Sequence, residues 1–361
     1  MRFPKLPNFS IDWLLMIPVF VLIIISLVTL FSIDQEYFKN QLVYFIISLS
    51  VFVFFSQINP SILKRYSVPI YVSSLILLIF LLIIGVESRG SVRWITFFGF
   101  GIQFSELLKP FLAISLASYL SNIRLYSFKN FILTLALVFP LSLLIFMQPD
   151  LGNALVYLGV MLFVLLISGF PYKFFASSFL LFLASFPLFW LFLHDYQKNR
   201  ILTFINPSHD PLGTSYNAIQ AVIAVGSGMM IGKGLGSGTQ SHLRFLPENH
   251  TDFIFATLSE QLGFLGSFIV ILAFAFLLYR IFILFKESDD GFSKYFSLTA
   301  FSIIFIHFFI NTGMNLGIIP IVGITLPFVS YGGSSLLSNF ILLGLLFAIT
   351  KKRRREVLEI G

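Results

Sequence analysis

Cysteine is absent from the 361 residues, which excludes disulfides, thiolate chemistry and Cys-ligated metal together. Charge is nearly as scarce: Asp, Glu, Lys and Arg make up 11% of the chain, where a soluble domain carries about 25%. A nucleotide loop is missing as well. The glycine-rich stretch 226–241, GSGMMIGKGLGSGTQS, places Gly234 after Lys233 where a phosphate-binding loop needs Ser or Thr, and no GxGxxG register fits it. The net charge of +7 does not point to nucleic acid. Its basic residues sit in short hydrophilic breaks between apolar runs, and nothing resembles an RNA- or DNA-binding module.

What fills the chain is apolar. Hydrophobic residues make up 57%, Phe alone counts 47, and the mean hydropathy is +0.94, a composition suited to a lipid-facing surface. The length admits two domains, but the apolar runs extend almost end to end, so one helical bundle over 1–361 is expected. A helix crossing about 30 Å of hydrocarbon needs about 20 apolar residues. That rule predicts an all-α polytopic membrane protein with ten spans near 12–33, 40–57, 67–86, 104–121, 130–148, 151–169, 173–193, 253–285, 295–316 and 334–350. The first run is too long for a signal-peptide core and lacks a small-residue cleavage site, so it reads as a retained anchor. The second span is short. The eighth is long, and its first turns are expected outside the hydrocarbon.

Placing the amino terminus in the cytoplasm puts about 15 of the 23 basic residues on inner segments: Arg2, Lys5, Lys64, Arg65, Arg124, Lys129, Lys173, Arg280, Lys286, Lys294 and the run Lys351 to Arg355. An even number of spans then leaves both termini inside, with the basic tail resting on anionic lipid. The longest break, 194–252, falls outside. Its aromatics, prolines and β-branched residues predict a folded cap with a helix lying at the interface.

Six segments carry candidate chemistry. FLPENHTDFIF (245–255) gathers Glu248, His250, Thr251 and Asp252 at the mouth of the eighth span. Asp252 fits a helix N-cap, and equally a general base at a membrane edge; no metal-ligand spacing accompanies His250. In QFSELLKP (103–110), Ser105 is the expected cap of the fourth span, and Glu106 and Lys109 share a helix face at i,i+3. That pair is either structural glue or the lining of a polar cavity. Pro110 removes a hydrogen bond early in that helix. QPDLG (148–152) makes Asp150 a cap of the sixth span. PFVSYGGSS (327–335) breaks the chain before the tenth, with Ser330, Gly332, Gly333 and Ser334 free to approach a ligand or a neighbouring segment. RGSVRW (89–94) sets Arg93 beside Trp94, for anchoring or for a phosphate and a sugar or acyl face. In the glycine-rich segment, Lys233, Gln240 and Ser241 read either as a turn-rich loop or as a grip on an anionic head group.

In order, RGSVRW, QFSELLK, QPDLGNAL, DPLGTSYNAIQAVIAVGSG, FLPENHTDFIFATLSEQLG and PFVSYGGSSLL resemble the motifs of the SEDS family (shape, elongation, division, sporulation), and GKGLGSGTQS resembles its RodA branch more than FtsW. The likeness covers nearly the whole chain. It implies ten transmembrane helices in the bacterial inner membrane and a peptidoglycan glycosyltransferase that polymerises lipid II and releases undecaprenyl pyrophosphate. It implies that Asp252 is the essential aspartate, that Glu106 and Lys109 are supporting acid and base, and that the partner is a class B penicillin-binding protein. Phe104, where proline is common, and Pro110 depart from the pattern. Pyrophosphate departure needs positive charge, from Lys233, Arg200, Arg244 or a divalent cation (Mg2+ or Mn2+); no nucleotide is needed. The competing readings are a lipid II flippase, with Glu106 and Lys109 as a relay, and a noncatalytic scaffold. Few acids lie deep in the spans, which favours the polymerase.

Overall fold

The computed structural model describes residues 12–84, 86–88, 91–97, 100–206, 214–242 and 245–360. From the amino end come α1 (Trp13–Ile33), α2 (Gln35–Phe55), α3 (Pro60–Arg65) and α4 (Ser67–Ile84), then β1 (Val86–Ser88), β2 (Ser91–Phe97) and β3 (Phe100–Gln103). Next are α5 (Phe104–Leu107), α6 (Lys109–Ser121), α7 (Phe128–Met147), α8 (Leu151–Ile167) and α9 (Tyr172–Phe192). The chain closes with α10 (Asp195–Ile205), α11 (Thr214–Ser227), α12 (Thr239–His242), α13 (Ile254–Glu287), α14 (Gly291–Asn315) and α15 (Gly333–Ile360). Helix occupies each predicted apolar stretch. Among the described residues six helices (α1, α2, α7, α9, α13 and α14) are long and apolar enough to cross a membrane, and three shorter apolar ones are Ser67–Ile83, Leu151–Ile167 and Gly333–Ile349.

Local chemistry sets the boundaries. Asp34 stands alone between α1 and α2 in extended conformation, and its carboxylate accepts the Glu36 amide at 2.8 Å. That cap starts α2 at Gln35, five residues before the apolar pattern begins, so the second span is 21 residues and not short. The predicted fourth span is two helices, broken at Leu108. Pro110 falls in the first turn of α6, where its missing N–H is no loss. Ser105 does not cap this helix, as the sequence suggested; Gln103 holds the N-cap position of α5, and the Ser105 hydroxyl donates to Asp150 Oδ2 at 3.0 Å.

The expectation of a purely helical chain needs correction at 86–103. RGSVRW lies largely in a three-stranded antiparallel sheet of order β1-β2-β3, with Trp94 opposite Gln103 and Phe97 opposite Phe100. Three strands of three, seven and four residues leave too little period-2 pattern to stand out beside long apolar runs.

The eighth stretch is two helices joined at Gly263, where φ is 68° and ψ −162°. The break severs the helical ladder, and the glycine-rich segment repairs it. Lys233 and Gly234 amides donate to Glu260 and Gln261 carbonyls at 2.9 and 3.1 Å, while Phe264 and Leu265 amides donate to Met229 and Met230 carbonyls at 2.7 and 3.1 Å. Glycine is required for this approach. A Cβ at Gly228 would lie 1.9 Å from the Ser259 carbonyl oxygen, and one at Gly232 2.1 Å from that of Gln261. The first half of α13, from Ile254 to Gln261, is buried throughout.

The core runs between α1, α2, α6, α8, α13, α14 and α15, with α15 along α2 and α14 against both α13 and α6. Asp12 and Arg280 tie the start of α1 to α13 through Nε at 3.1 Å and Nη2 at 2.5 Å. By contrast, α9 has no buried residue at all.

Candidate functional site

Two polar centres emerge, joined by α14. The first surrounds Asp252. The helix α13 begins one residue later than the sequence suggested, with Phe253 and not Asp252 at its N-cap position. The Asp252 backbone carbonyl accepts hydrogen bonds from Asn311 Nδ2 and Asn315 Nδ2, each at 3.0 Å. Its half-buried carboxylate lies against Gly323: a Cβ built there would be 3.3 Å from Asp252 Oδ2 and 3.9 Å from an Arg200 guanidinium nitrogen. Gly323 has φ +71°, a conformation that glycine adopts freely. The acid and Arg200 therefore flank one bare stretch of backbone.

Arg200, on α10, rests over the Tyr196 ring at 5.6 Å and forms the polar end of a cleft of ≈ 290 Å³. Apart from Thr203, the rest of that lining is apolar and includes Phe204, Ile219, Val222, Ile223, Ile319 and Ile321. Oily walls with a single cation at one end suit an amphiphile whose head is anionic.

The predicted HTDFIF and SYGGSS segments meet beside this site. Tyr331 N donates to His250 O at 2.9 Å, and Ser330 Oγ donates to Thr251 O at 2.7 Å. His250 stacks on Tyr37 of α2, centroids 4.2 Å apart and planes 10° apart. Gln41 reaches across from α2 to Ser330 O at 3.2 Å and to the Gly332 amide at 3.3 Å. Gly333 is bare because a Cβ would sit 2.9 Å from the Tyr44 ring. The Ser334 hydroxyl accepts from Gln103 N at 2.9 Å. Ser330, Gly332, Gly333 and Ser334 thus assemble the site from three distant segments. Glu248, at φ 52°, turns the chain into Asp252, its carboxylate accepting from Thr251 Oγ1 at 3.3 Å.

Lys233, Gln240 and Ser241 form a separate set of contacts, Ser241 O accepting from Nδ2 of Asn249, the neighbour of His250, at 2.7 Å. They surround Glu260, which is 0% exposed and which the sequence reading passed over. Its carboxylate accepts from Lys233 Nζ at 3.0 Å, Thr239 Oγ1 at 3.2 Å, Gln240 N at 3.0 Å, Ser241 N at 3.0 Å and Ser241 Oγ at 2.8 Å. A buried carboxylate persists only when so fully paired. Lys233 therefore pairs with Glu260 from the surface side of this cluster, and Arg200 is the cation that shares Gly323 with Asp252. The Arg93 side chain and Arg244 lie outside the described residues; Trp94 is half-buried in β2, against Gly101.

The second centre lies deeper. Lys109 Nζ is 2.7 Å from Glu106 Oε1 and 2.7 Å from His307 Nε2. His307 Nδ1 faces Thr325 O at 3.2 Å, so these partners fix a neutral ring with its proton on Nδ1. Asp150 caps α8 through Asn153 N at 3.2 Å, as expected, and also accepts from Gln103 Nε2 at 2.7 Å and Asn153 Nδ2 at 3.0 Å. His307, Asn311 and Asn315 repeat every four residues on α14 and were missed. Three polar residues on one face of an apolar span were the available signal. Among the described residues no group of three or more His, Asp or Glu side chains is arranged to hold a metal ion.

A family model described as "Cell cycle protein", spanning FtsW, RodA and SpoVE, matches residues 6–355. The chain belongs to this family. Among the curated FtsW/RodA/SpoVE relatives, the peptidoglycan glycosyltransferase MrdB of Escherichia coli is 37% identical over 308 residues, 85% of this chain and 83% of that protein. Stage V sporulation protein E of Bacillus subtilis is 34% identical, covering 96% of this chain and 98% of its own length. Solved structures agree. A chain of a peptidoglycan synthase complex superposes with TM-score 0.81 at 28% identity, covering 96% of this chain and 99% of that one. The rod shape determining protein RodA of Thermus thermophilus superposes at 0.73 with 26% identity, over 96% and 98%.

Proposed function

We propose that this chain is a peptidoglycan glycosyltransferase of the RodA branch, polymerising lipid II during cell elongation, with Asp252 as its general base. One observation carries the reading: Asp252 and Arg200 flank Gly323, and Arg200 also lines a mostly apolar cleft. The relatives named as peptidoglycan glycosyltransferases support the activity. In the step, an acceptor sugar hydroxyl attacks the anomeric carbon of the donor, and the carbon–oxygen bond to pyrophosphate breaks. Asp252 takes the hydroxyl proton. Arg200 stabilises the charge gathering on the departing undecaprenyl pyrophosphate, whose prenyl tail suits the cleft wall. Mg2+ or Mn2+ enters this reading only as a counter-ion brought by the pyrophosphate itself.

The same reading places ten spans in the bacterial inner membrane with both termini cytoplasmic, and segment 194–252 on the outer side, where lipid II is displayed. Its partner is a class B penicillin-binding protein, consistent with the likeness to a chain of a synthase complex that coordinates polymerization and crosslinking. The test is lipid II polymerisation by the purified chain with its transpeptidase, wild type against Asp252→Ala. Glycan strands from wild type alone support the assignment. Equal polymer from a folded Asp252→Ala protein overturns it, and lipid II transport across vesicles without polymer turns the reading to a flippase.

A further inference from the structure

An acidic residue just ahead of a long apolar helix ordinarily becomes its N-cap, with the carboxylate folded back onto the amides of the first turn. Asp252 has that sequence context, yet the helix starts at Ile254, with Phe253 in the cap position. The reason is a wedge. Had the helix begun at Asp252, the Ala256 amide would donate to the Asp252 carbonyl four residues back. Instead the Asn315 side chain is inserted between them. Its Oδ1 accepts from Ala256 N at 3.1 Å and its Nδ2 donates to Asp252 O at 3.0 Å. One carboxamide thus replaces the helical bond with two, holding the first turn open.

Asn311, one turn earlier on α14, completes the wedge. Its Nδ2 donates to Asp252 O at 3.0 Å and to Ile324 O at 2.7 Å. It joins the aspartate's backbone to the segment containing Gly323, the residue against which Asp252 Oδ2 lies. The two asparagines are linked, Asn315 Nδ2 also reaching Asn311 O at 2.8 Å. Both are 0% exposed, so neither touches substrate. Buried amides so fully committed have one arrangement, since both nitrogens must face carbonyl oxygens.

We infer that Asn315 and Asn311 are positioning residues for glycosyl transfer: they pry Asp252 out of the helix and aim its carboxylate at Gly323 and the Arg200 end of the cleft. The inference rests on the reading of Asp252 as the base. Without the wedge, the Ala256–Asp252 helical bond closes and the carboxylate folds back as an N-cap. The protein keeps its fold and its substrate cleft and loses the placement of its base.

The test is lipid II polymerisation by full-length Asn315→Ala and Asn311→Ala proteins in complex with the transpeptidase, beside wild type and Asp252→Ala. Thermal stability is measured on each. The expected result for Asn315→Ala is a fall in kcat of about 100-fold with KM within about threefold of wild type, because misplacement of a reacting group by about 1 Å has that scale of effect. The melting temperature stays near wild type, since the closed helical bond and the new cap replace the lost contacts. Asn311→Ala follows with the same split. A purely structural role would move stability, or KM and kcat together. A folded Asn315→Ala or Asn311→Ala protein with kcat near wild type overturns the inference, as does failure of both variants to fold. If Asp252→Ala itself polymerises lipid II, the base assignment falls, and that outcome is read independently of the asparagines.

Discussion

Lys109 and His307 meet 2.7 Å apart at the junction of α6 and α14, with Glu106 on the other side of the ammonium at 2.7 Å. All three side chains are buried, so the Glu106 and Lys109 charges are stable only through each other. Removing Lys109 strands Glu106 in the bundle, and breaking such a pair costs about 3–5 kcal/mol. Lys109→Ala is expected to lower the melting temperature markedly in detergent. The double variant Glu106→Gln with Lys109→Met, which removes both charges at similar volume, is expected to recover most of the loss. Equal damage from the single and double variants contradicts this account.

Glu260 presents a second closed carboxylate. Glu260→Ala leaves the Lys233 ammonium and the amides of Gln240 and Ser241 without their acceptor, at about 1–3 kcal/mol for each group that stays buried. Faster amide exchange over 228–242 and a lower melting temperature are the expected results. Unchanged protection of that segment would show that the cluster does not hold it.

Arg200 and Lys233 are separated by their effect on catalysis. Arg200→Ala is expected to lower kcat/KM for lipid II by about ten- to a hundredfold, the scale of a lost charge-assisted hydrogen bond. Lys233→Ala acts on stability first. Polymerisation kinetics beside melting curves for both variants decide it, and the reverse ranking returns Lys233 to the pyrophosphate.

Gly323→Ala places a methyl 3.3 Å from Asp252 Oδ2 at a residue with φ +71°. The backbone strain is about 1–2 kcal/mol, small beside the displacement of the acid. The expected outcome is a folded protein with strongly reduced polymerisation. Wild-type rates from Gly323→Ala would mean that the carboxylate works elsewhere.

The helical plan was legible because apolar runs of span length are hard to disguise, and Asp150 was read correctly because its cap is local, reaching only Asn153. Asp252 has the same local signature and a different fate, decided by two asparagines about sixty residues away in sequence. No window around Asp252 contains them. Lys233 has a partner that was invisible for a similar reason. Its flexible-looking glycines are bare to fit against the α13 break, and its counter-charge Glu260 hides in an apolar stretch. The short sheet at 86–103 was lost between two long apolar runs of sequence.

The junctions at 250–251 and 330–331 also join segments made at very different times. Ser26 in α1 donates to Val329 O, 303 residues further on, at 2.6 Å, and α2 grips the Ser330 carbonyl through Gln41. A ribosome delivers the first helices long before the segments that fasten them. Until translation has passed α14 and the loop after it, Asp252 has no asparagine wedge, no Gly323 and no Tyr331 beside His250. A nascent chain halfway into the bilayer therefore lacks every contact that places Asp252, and those contacts form only after the later segments have been made.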